Sequence, residues 1–158
     1  MRKAALLAIP LLLAVQPAFA NSANGNGALA LAALVAENSP AVSIFNKGIM
    51  LKMLNGNLGF FYPANHTILV KADSVVCRAS NVDISAHSCQ LKFGAVTRNL
   101  AGRRAHELYA TIAEIGVPPD GAAGSVFEAV SHLDCTIDPN EVKQKAGGGA
   151  SCTYTPGP

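Results

Sequence analysis

Apolar and polar positions follow two textures along the chain, helical in the first third and alternating from His66 onward. Ala28–Ala36, "ALALAALVA", is built from strong helix formers and predicts a short helix. Ser39-Pro40 supplies a helix start, with Ser at the N-cap and Pro at the first helical position, where its missing N–H is not needed. Val42, Phe45, Ile49, Met50 and Met53 then share a stripe at 3.6-residue spacing, which predicts a core-facing helix ended by Asn55-Gly56. Lys47 and Lys52 are the stripe's only basic flanks, too few to predict membrane-surface binding.

From His66, "HTILVKADSVVCR" and "SCQLKF" are β-branched and partly alternating, and Gly94-Ala95 turns the chain toward a third short strand, "VTRNL". Ala101–Gly116 is the clearest helix, with Ala105, Leu108, Ile112 and Ile115 on its buried face and Gly116 as a C-terminal stop. Ser125–Asp138 reads two ways. Its odd positions from Phe127 to Ile137 form one mostly apolar strand face, while Ser125–Ala129 also fits a capped helical turn. "KQKAGGGA" loops into a last strand, "SCTYT". The pattern predicts an α+β fold: a helical segment over 28–56, then a disulfide-stapled domain over 66–156. In that domain a four- to five-stranded antiparallel sheet packs against one long helix. Residues 21–27, "NSANGNG", predict a flexible leader.

The N-terminus changes the setting. A basic start, "MRK", precedes the apolar run "AALLAIPLLLAV", and Ala18 and Ala20 occupy the −3 and −1 positions of a cleavage site. This is the plan of a secretory signal peptide over residues 1–20, which predicts a mature chain from Asn21 with no transmembrane span, exported to the periplasm or exterior. Losing Arg2 and Lys3 reduces the 12 basic side chains to 10, equal to the 10 acidic ones. A chain without basic excess is a poor match for nucleic acid. Abundant alanine behind such a leader suggests a bacterial source.

Cys77, Cys89, Cys135 and Cys152 all follow the leader. An even count in an oxidising compartment predicts two disulfides. Of the three connectivities, Cys77–Cys89 and Cys135–Cys152 are preferred, because each pair flanks a loop between strand-like runs. A cysteine metal site would need tighter ligand spacing than this chain has.

Candidate catalytic chemistry is thin. "RRAHELYA", Arg103–Ala110, opens like the zinc motif H-E-x-x-H, but Ala110 stands where the second histidine belongs. "GGG" lacks the order of a phosphate loop, and "AAGSV" is not a nucleophile elbow. His106, Glu107, His132, Asp134, Asp138 and Ser125 are the groups a dispersed enzyme site would have to gather. No catalytic residue, metal or cofactor is assigned. The expected function is a non-enzymatic binding or inhibitor-like domain for another exported protein or an anionic ligand. Arg103 and Arg104, in a helix's first turn where the macrodipole disfavours cations, form the expected binding patch with Arg98. The alternative is a self-associating structural protein of the cell envelope, with an enzyme third; oligomeric state is left open.

Overall fold

The computed structural model describes residues 21–54, 67–78, 83–114, 126–144 and 149–155. The expected signal peptide over 1–20, the Asn55-Gly56 stop and Ser125 lie outside these residues. The chain runs β1 (Asn21–Asn24), α1 (Asn26–Asn38), α2 (Ile44–Leu54), β2 (Ile68–Arg78), a single 3-10 turn (Ile84–Ala86), β3 (Ser88–Phe93) and β4 (Val96–Ala101). It continues through α3 (Arg103–Glu114), β5 (Val126–Ile137), α4 (Pro139–Gln144) and β6 (Ala150–Thr155). The fold is α+β with one antiparallel sheet of six strands, not four or five, in the order β1-β6-β5-β2-β3-β4. No helix among the described residues is long and apolar enough to cross a membrane.

Two elements lie where no strand or helix was expected. Residues 21–24 are not a flexible leader but an edge strand, paired with β6 from Asn21↔Tyr154 to Asn24↔Ser151. Beyond β5, Asp138 caps a helical turn: its Oδ1 accepts hydrogen bonds from the N–H of Asn140 at 2.8 Å and of Glu141 at 3.4 Å. Pro139 occupies the first helical position, where proline is tolerated.

Helices cover one face of the sheet. α1 packs on β1, β6, β5 and β2, and α3 packs on β3 and β4. α1 also touches α2 and α3. This explains why "ALALAALVA" shows no polar stripe: Ala28, Leu29, Leu31, Ala32, Ala33, Val35 and Ala36 are all buried, as in a helix enclosed on most sides. α3 buries Ala105, Leu108 and Ile112, as its periodicity predicts. α2 starts later than expected. Ser39 closes α1 instead, its N–H donating to Val35 and Ala36 carbonyls, and the Ser43 hydroxyl accepts from Asn46 N–H at the head of α2. Ile49 and Met50 enter the core, but Phe45 is 60% exposed, so the predicted stripe is only partly buried.

Both disulfides join directly opposed residues of neighbouring strands. Cys77–Cys89 ties β2 to β3 with Cα atoms 4.1 Å apart, and Cys135–Cys152 ties β5 to β6 at 4.0 Å. All four cysteines are buried on the helix side. The Cys89 sulfur lies 3.4 Å from the Ala105 carbonyl of α3, and the Cys152 sulfur 3.4 Å from the Ala28 carbonyl of α1. An alanine above each bridge leaves room for the sulfurs, so the staples are also core packing.

β5 is a strand from Val126, which settles the ambiguity at Ser125–Ala129 for the described part. Its predicted odd-numbered face changes phase, however. Leu133, Cys135 and Ile137 are buried, yet so is Val130, and β2 shifts at the same level from Ala72 to Val75. His132 marks the break, with φ of 50°, in the left-handed region. A non-glycine residue there costs about 1–3 kcal/mol. His132→Gly is therefore expected to raise stability by up to about 1 kcal/mol, whereas His132→Val should lower it by more than that. Urea unfolding reads both; a stabilising valine would show that the strand break is not held at this residue.

Candidate functional site

Strand alternation sends every second side chain away from the helices. On that open face the register aligns Asn24, Ser151, Thr136 and Leu69 in one row and Ser22, Thr153, Asp134 and Lys71 in the next. Further across, Gln90 faces Asn99 and Lys92 faces Thr97. All of these are exposed. The row of small polar groups is punctuated by one ion pair, Lys71 Nζ to Asp134 Oδ1 at 3.3 Å, and by one apolar side chain, Leu69, 60% exposed. Two links add order: Gln90 Nε2 donates to Asn99 Oδ1 across β3 and β4, and Gly94 N–H in the β3–β4 turn donates to Asp73 Oδ2 of β2 at 2.6 Å.

At the end of this face lies a groove of about 390 Å³, lined among others by Asn24, Thr67, Thr136, Ser151, Asp138 and Glu141. Its chemistry is hydroxyls, an amide and two carboxylates, a set of acceptors for a basic or hydroxyl-bearing side chain. Asp138 already spends one oxygen on the α4 cap.

The expected arginine patch is on the other side, with α3. Arg103 pairs with Glu107 at 3.2 Å, and Arg104 pairs with both Glu37 of α1 and Glu107, the latter at 3.5 Å. An incoming anion would compete with these carboxylates. Arg98, on edge strand β4 opposite Leu91, is exposed and makes no ion pair among the described residues.

Among the described residues, the dispersed acid–base groups are divided between the two sides of the sheet. His106 faces His87, ring centroids 4.8 Å apart and nearly perpendicular, with Tyr109 5.7 Å from His87. His87 is buried, its Nδ1 3.2 Å from the Ile84 carbonyl and its own carbonyl accepting from Gly102 N–H. Nδ1 of His106 is buried with no hydrogen-bond partner among the described residues. Glu107 is engaged by two arginines, Asp134 by Lys71, and Asp138 by the α4 cap. His106 therefore sits on the helix side of the sheet and Asp134 on the open side. At the 3-10 turn, Asp83 accepts from the Ser85 hydroxyl and N–H, which with the nearby His87 holds its carboxyl below the usual carboxylate range.

Sequence reasoning missed the open-face residues. Alternation along β6 sets Ser151 and Thr153 on one face, and Asn24 and Ser22 lie in a segment that reads as a loop. Comparisons with protein-family models, with curated proteins and with solved structures returned no match.

Proposed function

We propose that this chain is a small exported, non-enzymatic domain that binds another protein through the open face of its sheet. One observation carries the reading. The core, the main helices α1 and α3 and both disulfides lie on one side, leaving six paired strands as a braced, polar platform on the other. Strands about 4.8 Å apart make that platform about 25 Å wide, which accommodates much of the ~800 Å² that a standard interface buries per partner. A braced surface loses little conformational freedom on binding, so more of its contact energy appears as affinity. The groove at the end of the face offers Asp138 and Glu141 to a basic side chain of the partner. Two disulfides suit the oxidising compartment that export provides.

The test begins with cross-linking in the exported fraction to identify the partner, followed by affinity measurements on purified proteins. Thr153→Arg and Thr136→Arg, which push bulk and charge out of the platform, are expected to weaken binding at least about tenfold without moving the unfolding midpoint, as central interface residues do. Arg103→Glu/Arg104→Glu is the comparison arm. If it abolishes binding while the threonine variants bind normally, recognition belongs to the α3 arginines and the platform reading fails.

A further inference from the structure

α2 is apolar on two opposite sides, and only one of them is used by the fold. Ile49 and Met50 are buried, and the helix packs on α1. On the other side Ile44 is 89% exposed and Leu51 42%, and Phe45, 60% exposed, lies between the two sides. Among the described residues, nothing lies within 4 Å of where a Cβ on Gly48 would stand.

The outward face is organised. At about 100° per residue, Ile44, Gly48 and Leu51 fall within a sector of about 60°. Lys47 lies about 40° beyond one edge of that sector and Lys52 about 40° beyond the other, with Phe45 beside Lys52. The chain has no Asp or Glu anywhere between Glu37 and Asp73. An apolar centre flanked on both sides by cations, with no carboxylate near in sequence, matches an interface whose apolar layer is bordered by anions. We infer that α2 is a peripheral docking element for an anionic lipid surface, its Ile44, Phe45 and Leu51 entering the acyl boundary while Lys47 and Lys52 reach the headgroups.

Charge separates this occupant from a second copy. A symmetric contact through the same face would bring Lys47 and Lys52 of two chains together, and α2 contains no acidic residue to pair them. The sequence pattern alone argued against a membrane surface, because two lysines beside a buried stripe carry little. The structure changes that balance by turning Ile44, Phe45 and Leu51 outward. α2 packs on α1 rather than on the sheet, so docking here leaves the open sheet face available. The inference does not depend on the proposed function.

The test uses the chain from Asn21, which holds every element described, and vesicles of phosphatidylcholine with or without phosphatidylglycerol. The chain has no tryptophan, so Phe45→Trp installs a single reporter. Its emission is expected to shift to the blue with phosphatidylglycerol vesicles and to stay unchanged with phosphatidylcholine alone. By sedimentation, Lys47→Glu/Lys52→Glu and Ile44→Ser/Phe45→Ser should each weaken vesicle binding at least about tenfold. Gly48→Leu, which adds apolar area in open space, should strengthen it. Circular dichroism of each variant confirms that the fold is retained. The inference is overturned if the unmodified chain does not sediment with anionic vesicles, or if binding survives either double substitution. It is equally overturned if size-exclusion chromatography shows a dimer that Ile44→Ser/Phe45→Ser dissolves, since a second copy then owns the face.

Discussion

Gly149→Ala is expected to destabilise the protein by about 2–5 kcal/mol, among the largest effects of any single methyl group added to it. Gly149 has φ of 72°, and a Cβ there would stand 2.6 Å from the Asp138 carbonyl oxygen, 2.7 Å from Glu141 Cβ and 2.9 Å from Val142 N. Two of these three atoms are backbone, so the neighbours cannot move aside by rotating a side chain. About 1–2 kcal/mol comes from placing an L side chain in the left-handed region, and overpacking adds about 1–3 kcal/mol. The site is also a junction. Asp138 N–H donates to the Gly149 carbonyl, and Gly25 N–H donates to that of the next residue, Ala150. A shift at Gly149 therefore pulls on the β5–β6 connection and on β1 together. Gly94→Ala is the control: φ there is 58°, but among the described residues nothing lies within 4 Å, so only the conformational part, about 1–2 kcal/mol, applies. Urea midpoints at equal m give both values. Equal losses for the two variants would show that the close packing of α4 against Gly149 does not limit this position.

Removing either disulfide as a Cys→Ala pair should cost about 3 kcal/mol, and removing both should leave the chain largely unfolded at 37 °C. The sequence separations of 12 and 17 residues are alike, and loop-closure entropy grows only with the logarithm of length, so the two losses should differ by a few tenths of a kcal/mol. A total stability of about 5–15 kcal/mol does not easily absorb both. Because all four cysteines are buried beneath α1 and α3, dithiothreitol alone should leave the bridges intact, and reduction should require denaturant. Thermal unfolding with a non-reducing peptide map reads this directly. A chain with Cys77→Ala/Cys89→Ala and Cys135→Ala/Cys152→Ala that melts within a few degrees of the parent would show that the helices and sheet hold without their staples.

These two expectations come from different levels of information. The disulfide pairing was legible in the chain because each cysteine pair flanks a connection between strand-like runs, and opposed strands bring their ends together. The α3 face was legible because Ala105, Leu108 and Ile112 repeat at the helical period. α4 left a readable trace as well, Asp138 before Pro139 and Glu141, the pattern of an N-cap, a first-position proline and an acidic first turn. It was masked by the glycine run that follows. β1 left no trace: "NSAN" has no strand propensity and is extended only because β6 offers it a ladder of hydrogen bonds.

The candidate site was legible in fewer places. Arg98, Arg103 and Arg104 are visible as charges in the sequence, but Glu37, brought to Arg104 by the packing of α1 on α3, is not. Phe45 fits the helical stripe as well as Ile49 does; which side of α2 meets α1 is decided by packing and not by periodicity.

Local pattern by itself determined the class of fold, the helix of residues 103–114, most of the strands and the pairing of the sulfurs, since each depends on propensity, period or short-range closure. Tertiary structure alone decided the sixth strand, the change of phase at His132, the neutralisation of Arg103 and Arg104, and which face of α2 and of the sheet stays uncovered. Those outcomes depend on contacts between residues far apart in the chain, and a side chain's period says which neighbours share its face but not what that face will meet.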